Sequence, residues 1–143
     1  MQAGVNKSKI DIAKEFGQSL DADQFERTAS VLEHNCEYII GDDKLKGPEK
    51  ICNSYEQNML AGRKKLDRLE WGKSRIEELS ESEFYVHFID YLTHKGTRYT
   101  HRCKQKIFIN EENRIYKIEH INDPREKERL NSYYDSVGLP RSK

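Results

Sequence analysis

The chain has few of the residues that would tie it to a disulfide framework, a membrane or the secretory route. Cysteine occurs only at Cys36, Cys52 and Cys103, which form no CxxC pair and leave an odd count, so we expect reduced thiols in a cytoplasmic protein. No run approaches the roughly 18 apolar residues of a membrane helix. The opening stretch, MQAGVNKSKIDIAKEF, has no apolar core of the kind found in secretory signals. We therefore expect neither a membrane span nor export.

The formal net charge of the chain is zero, because Lys and Arg together number 25 and so do Asp and Glu. A chain without a global basic field has little to attract nucleic acid or an anionic membrane, so neither is expected as a partner. The chain has aromatic residues that can form a hydrophobic core, with 8 Tyr, 5 Phe and 1 Trp among 143 residues. This length fits one domain, 1-143, that needs no disulfide or metal to fold.

Helical periodicity dominates the first part of the chain. Apolar residues recur at helical spacing over residues 10–20. Asp23 with Glu26 predicts a capping box for a second helix, with Phe25, Ala29 and Leu32 on one face. Residues 36–40 (CEYII) indicate a short strand. A third helix is predicted to begin at Pro48, whose missing N–H costs nothing there, and to bury Ile51, Tyr55 and Met59.

The period changes from helical to two at Glu70. Residues 71–79, 84–93, 98–109 and 114–121 are predicted to be consecutive antiparallel strands. Lys95-Gly96 suits a two-residue hairpin turn. A final helix is predicted from Asp123, Pro124 and Glu126, with Leu130, Tyr134 and Val137 on its face and its end at Gly138 and Pro140.

This order of elements resembles the nuclear-transport-factor-2-like (SnoaL-like) superfamily. The stretches that carry the resemblance are LDADQFERTASVLEHNCEYII, KGPEKICNSY and CKQKIFINEENRIYKIEHIND. The resemblance implies an α+β fold, a cone-shaped roll in which a curved antiparallel sheet wraps around N-terminal helices and an internal pocket. Dimers of such proteins often form through the outer sheet face. Members include ketosteroid isomerases, dehydratases, epoxide hydrolases, polyketide cyclases and binding modules, so the resemblance supports fold rather than function.

The catalytic set of ketosteroid isomerase is missing from the corresponding positions. Its tyrosine falls near Phe16, its general-base aspartate near Ile40 or Gly41, and its oxyanion aspartic acid near Gln105. None of these residues carries the required group. We do not expect that enzyme's chemistry here.

Pairing around Lys95-Gly96 fixes the register of the central hairpin, and the register fixes which side chains face inward. Asp90 then opposes His101, and Phe88 opposes Cys103. The more apolar face is expected to line the pocket, since ligand sites are mostly apolar with a few convergent polar groups. The predicted ligand-binding residues are Phe16, Tyr55, Val86, Phe88, Tyr99, Cys103, Gln105, Tyr116, Ile118 and His120.

Asp90 and His101 are the sharpest feature of that inward face. Directly opposed residues have Cβ atoms about 4.5–5.5 Å apart, within reach of a carboxylate–imidazole hydrogen bond. One interpretation makes them a catalytic pair, a general base and its orienter. The other places them at a solvated rim, where they only satisfy each other.

Two further interpretations involve Cys103. With His120 nearby, Cys103 has the composition of a thiolate nucleophile, but no oxyanion-hole motif accompanies it. Asp90, His101, Cys103 and His120 are also zinc-ligand types. Because the strand ladder does not show that they converge on one point, we expect no metal and no cofactor.

The outer face carries aromatic residues that alternate with Lys and Arg. Such a pattern can mark an RNA-stacking surface, but we favour a homodimer interface centred on Tyr85, Ile89, Tyr91 and Phe108. For function, we expect the pocket to bind a small, mostly apolar molecule. The alternative is an acid–base enzyme of the isomerase, dehydratase or cyclase type that uses Asp90 and His101.

Overall fold

The computed structural model describes residues 8–141 of the chain. In chain order the elements are α1 (Lys9–Asp21), α2 (Phe25–Ser30), β1 (Leu32–Ile40), β2 (Asp43–Lys46), α3 (Pro48–Lys65), β3 (Arg68–Trp71), β4 (Arg75–Glu78), β5 (Glu83–His94), β6 (Thr97–Ile109), β7 (Ile115–His120) and α4 (Pro124–Ser136).

One 7-stranded sheet runs in the order β2-β1-β7-β6-β5-β3, and β4 pairs with β5 beside β3. The predicted α+β fold, helices against a curved sheet, is confirmed. The sheet is mixed rather than wholly antiparallel, because β1 and β7 pair in parallel. These two strands are far apart in the chain, so no hairpin forces them to be antiparallel. No helix within residues 8–141 is long and apolar enough to cross a bilayer.

The predicted capping box at Asp23 is wrong. The box belongs to α1, where the Ser8 side chain and the Asp11 side chain each bond the other's backbone N–H. The N-cap residue of α2 is Gln24, which makes no side-chain cap. Asp23 has a positive φ of 56°, and its Oδ1 accepts a hydrogen bond from Trp71 Nε1 at 2.7 Å.

The predicted strand over residues 71–79 is two strands, β3 and β4, separated at residues 72–74. Asp21 holds this break, because its Oδ2 accepts from both the backbone N–H (2.9 Å) and the hydroxyl (2.7 Å) of Ser74. Gly17 lies underneath, where an added Cβ would come within 2.5 Å of Ser74 Oγ. The close approach of α1 to this loop therefore requires glycine.

A register shift near the end of β6 changes which residues of β7 face the core. Ile107 pairs with Ile118, but Ile109 pairs with Ile115, so β7 has one more residue in this interval than β6. Ile115 and Ile118 are both fully buried, whereas Tyr116 is 44% exposed. The prediction that Tyr116 faces the pocket is therefore wrong, since a one-residue slip moves a side chain to the opposite face.

Two apolar clusters fix the helices on the concave face of the sheet. The larger packs α1, α2 and α3 against β1, β5, β6 and β7, with Phe16 and Phe84 among its most buried residues. The smaller holds α4 over the end of the β5–β6 hairpin through Leu66, Leu92, Leu130, Tyr133, Tyr134 and Val137. The gap between the two clusters contains the candidate site.

Candidate functional site

A cavity of about 380 Å³ lies on the concave face, with α3 and α4 on either side of it. This volume is within the range of about 300–1,000 Å³ that small-molecule sites occupy. Its wall is largely apolar and aromatic, with Phe25, Tyr55, Met59, Trp71, Phe88 and Leu130 among the lining residues.

The cavity includes most but not all of the residues predicted for it. Asp90 and His101 line it together with Tyr55, Phe88, Cys103, Gln105 and His120. Phe16, Val86 and Ile118 are not lining residues, because they are fully buried in the larger apolar cluster. Tyr99 faces the concave side but is covered by α4, where its ring stacks on Tyr133 at 5.3 Å.

Two tyrosines and a glutamine, which we call the Tyr–Gln–Tyr cluster, form a hydrogen-bonded part of the wall. The Tyr55 hydroxyl donates to Gln105 Oε1 at 2.7 Å, and Gln105 Nε2 donates to the Tyr38 hydroxyl at 2.8 Å. The two tyrosine rings stack with centroids 5.3 Å apart. Burial raises the pKa of both tyrosines, so the cluster is neutral. Tyr38 was missed as a pocket residue, although its strand was predicted.

A polar corner, formed by Asp90, His101 and Cys103, lies next to this cluster on the same face of the β5–β6 hairpin. The predicted register of the central hairpin is confirmed, with Asp90 opposite His101 and Phe88 opposite Cys103. One donor atom each from Asp90, His101 and Cys103 lies within 4.8 Å of the other two. The strand ladder alone did not show this convergence, which was the reason for expecting no metal. His120 pairs with Gln105 rather than with Cys103.

The pKa values of residues in and near the corner are shifted, because these residues are buried beside an apolar cavity. Burial raises the pKa of Asp90 to about 6, partly offset by the charge of His101. Burial, followed by the charges of Asp90 and Glu126, raises the pKa of the Cys103 thiol to about 12. A thiol with this pKa is protonated at neutral pH, which argues against the thiolate nucleophile. Burial, followed by the charge of His101, lowers the pKa of His120, so that ring is neutral.

Glu126 is the functional candidate that the sequence interpretation missed. It comes from α4, and its side chain is only 8% exposed. Its Oε2 lies 2.9 Å from His101 Nδ1 and also accepts from the Tyr99 hydroxyl. Arg129 Nη2 donates to Oε1 at 3.0 Å. In the neutral form of His101, this contact favours the tautomer with the proton on Nδ1 and the lone pair on Nε2.

The hydrogen bonds of Glu126 keep it charged although it is buried. Burial acts to raise its pKa, but hydrogen bonds from Tyr99, His101 and Arg129 outweigh burial and lower it. In the sequence, Glu126 is recognisable only as a residue of the first turn of a helix. Its contact with β6 depends on where α4 docks, and no periodicity encodes that docking.

A second polar group lines the cavity beside Asp90, whose partner on β3 is Trp71. Asp23 accepts from Trp71 Nε1 and pairs with Arg63 at 3.0 Å. The Arg63 guanidinium lies 5.6 Å from the centre of the Trp71 ring. These contacts fix the Trp71 indole at the cavity wall, where its emission can report on the cavity's contents.

No protein-family model matches the sequence, and no curated protein is detectably similar to it. Solved structures do match its fold.

A putative polyketide cyclase from Pseudomonas putida KT2440 superposes with a TM-score of 0.63 at 11% identity, over 92% of this chain and 99% of that one. A Cytophaga hutchinsonii NTF2-like protein of unknown function gives 0.58 at 16% identity, over 85% and 96%. A Mycobacterium tuberculosis protein in complex with estradiol-17beta-hemisuccinate gives 0.61 at 13% identity, over 82% and 95%. Identities this low establish a shared fold and not a shared function.

Proposed function

We propose, from its nuclear-transport-factor-2-like fold, that this chain binds a small and mostly apolar molecule in the concave cavity. The observation that carries the proposal is a cavity of about 380 Å³ whose aromatic wall meets one polar corner. Apolar walls supply affinity by removing ligand surface from water, and a few polar groups set orientation. The molecule that fits is compact, with rings and at least one polar group.

The ligand of one structural neighbour has this general character. The Mycobacterium tuberculosis protein is in complex with estradiol-17beta-hemisuccinate, a fused-ring molecule that carries a polar ester and acid. In this chain, Tyr55, Phe88 and Trp71 offer aromatic surface to such rings. Asp90 and His101 offer hydrogen-bonding groups to a hydroxyl or carbonyl.

The single tryptophan makes the proposal directly testable. Trp71 is the only Trp in the chain and lines the cavity, so its fluorescence should change on addition of estradiol or its 17-hemisuccinate. Met59→Phe, which enlarges a buried side chain at the cavity wall, should weaken binding at least about tenfold, because overfilling a packed site is costly. Leu60→Phe is the matched control, since Leu60 is 48% exposed on the same helix.

A panel of fused-ring alcohols, ketones and acids extends the fluorescence measurement beyond steroids. If no member of the panel changes Trp71 emission, or if Met59→Phe and Leu60→Phe have the same effect, the cavity is not the binding site.

One observation favours a second candidate function, acid–base catalysis on the bound molecule. Glu126 fixes the His101 ring at 2.9 Å, as an orienting carboxylate does for a catalytic base, and Asp90 adjoins the ring as a possible partner in proton transfer. Asp90→Asn would then lower turnover roughly 10²–10⁴-fold while fused-ring molecules still quench Trp71. Turnover that is unchanged in Asp90→Asn would contradict this candidate and leave the binding proposal intact.

A further inference from the structure

We propose that Asp90, His101 and Cys103 form a binding site for a divalent transition metal, and that zinc is the ion they fit best. One carboxylate oxygen, one imidazole nitrogen and one sulfur lie within 4.8 Å of one another. Around zinc, with bonds of about 2.0–2.3 Å, tetrahedral donors are separated by about 3.3–3.7 Å. Small side-chain rotations therefore bring the three donors to bonding distance.

The three donors stand on two paired strands of the sheet. Asp90 and His101 are direct partners in the β5–β6 ladder, and Cys103 is the next residue on the same face of β6. β5 is paired on both sides at Asp90, with His101 of β6 and with Trp71 of β3, and the pairing of β6 with β7 begins at Gln105, two residues beyond Cys103. Donors on paired strands keep their relative positions better than donors on loops, which favours a preformed site.

Glu126 supplies the outer support that a metal-binding histidine requires. Metal-bound imidazoles usually donate their other ring N–H to a carboxylate, which fixes the tautomer and increases the basicity of the ligand nitrogen. Glu126 Oε2 accepts from Nδ1 of His101 at 2.9 Å, so Nε2 is the nitrogen available to the ion. Tyr99 and Arg129 in turn hold Glu126 in place.

Charge and coordination number both agree with zinc. A dication bound by the Asp90 carboxylate and the Cys103 thiolate has no net charge, which lowers the cost of placing the site beside an apolar cavity. The mixed N, S and O donors suit zinc better than magnesium or calcium, which take oxygen ligands. Three protein donors leave a fourth position open to the cavity, the arrangement typical of zinc sites that bind water or a substrate.

Cobalt(II) is the probe that tests this inference, because it occupies zinc sites and absorbs light. Addition of Co²⁺ to the chelator-treated full chain should produce a cobalt–thiolate charge-transfer band and visible bands of tetrahedral intensity. Zn²⁺ should then displace the cobalt and remove the bands. Each ion binds with release of the Cys103 proton, which a pH-indicator dye in weak buffer can measure.

Variants assign the bands to residues. Cys103→Ser should abolish the charge-transfer band, whereas Cys52→Ser, at a buried cysteine on α3, should retain it. His101→Gln should weaken Co²⁺ binding at least tenfold, and Glu126→Gln should weaken it about 10–100-fold, the usual effect of losing a supporting carboxylate. Circular dichroism of each variant checks that it is folded. The inference is overturned if folded wild-type protein gives no charge-transfer band, or if the band survives Cys103→Ser.

This inference does not depend on the proposed apolar ligand. A chain that binds cobalt through Cys103 but leaves Trp71 emission unchanged with every fused-ring compound refutes the ligand proposal alone. A chain that binds such a compound but no cobalt refutes the metal site alone.

Discussion

At the scale of one residue, the ionised side chain of Asp90 lowers the stability of the folded protein when no metal is bound. Burial raises its pKa from 3.8 to about 6, so the folded state holds a proton that the unfolded chain releases. The stability of the metal-free protein therefore falls as pH rises from about 4 to about 6, and stays lower above that range. A side chain that opposes folding at neutral pH is typical of a functional site.

Asp90→Asn should consequently stabilise the chelator-treated protein at pH 7.5. A pKa difference of roughly 2 units corresponds to at most about 3 kcal/mol, at about 1.4 kcal/mol per unit. Urea unfolding should show this gain at pH 7.5 and little gain at pH 4, where the folded carboxyl is protonated and the unfolded carboxyl is only about half ionised. Asp42→Asn, at an exposed turn residue, should change neither value. An equal gain at both pH values would show that the pKa of Asp90 is not the cause.

At the scale of secondary structure elements, the docking of α4 depends on Glu126. Glu126→Gln keeps the size of the side chain but removes the charge that Tyr99, His101 and Arg129 bind. We expect a loss of about 1–3 kcal/mol, the usual cost of leaving buried hydrogen-bonding groups poorly satisfied. The lowered pKa of Glu126 implies that wild type loses this contribution as pH falls through that pKa, and the variant does not.

Hydrogen exchange locates the effect of Glu126→Gln. Amides of α4 should exchange faster in the variant, while amides of α1 should be unchanged. Glu128→Gln is the control, because Glu128 is exposed on the same helix. Uniformly faster exchange across the chain would indicate global destabilisation instead of a loosened α4.

The elements themselves show what local sequence can encode. The hairpin register at Asp90 and His101 was predictable because a two-residue turn fixes every pair that follows it. The extra residue that turns Tyr116 outward was not predictable, because Tyr116, Lys117, Ile118 and Glu119 alternate between apolar and polar as they would in a strand without a bulge. The position of Glu126 against His101 was also beyond prediction, because it depends on tertiary packing between α4 and β6.

At the scale of the whole molecule, the outer sheet face remains our predicted dimer interface. Tyr85, Ile89, Tyr91 and Phe108 belong to it, and the exposed ring of Tyr116 lies 6.1 Å from Phe108. Lysines cover part of this surface, with the Lys104 ammonium 4.3 Å from the centre of the Tyr85 ring. Aromatic residues are enriched in protein interfaces and lysines are depleted, so the aromatic residues carry this prediction.

Sedimentation equilibrium should detect a homodimer in the micromolar range. Phe108→Glu should weaken the association at least tenfold by placing a charge in an apolar contact. Leu60→Glu, on the exposed side of α3, should have no such effect. A monomer at all concentrations up to near-millimolar would contradict the predicted interface.

The Tyr–Gln–Tyr cluster has a consequence for selectivity. Tyr55, Gln105 and Tyr38 hydrogen-bond to one another, whereas His101 lies four residues along β6 from Gln105, about 13 Å away at the rise of a strand. A bound molecule is therefore met by the Tyr–Gln–Tyr cluster and His120, the strand partner of Gln105, at one end and by Asp90 and His101 at the other. We therefore expect the cavity to bind a molecule in a single orientation and to distinguish regioisomers by the position of their polar group.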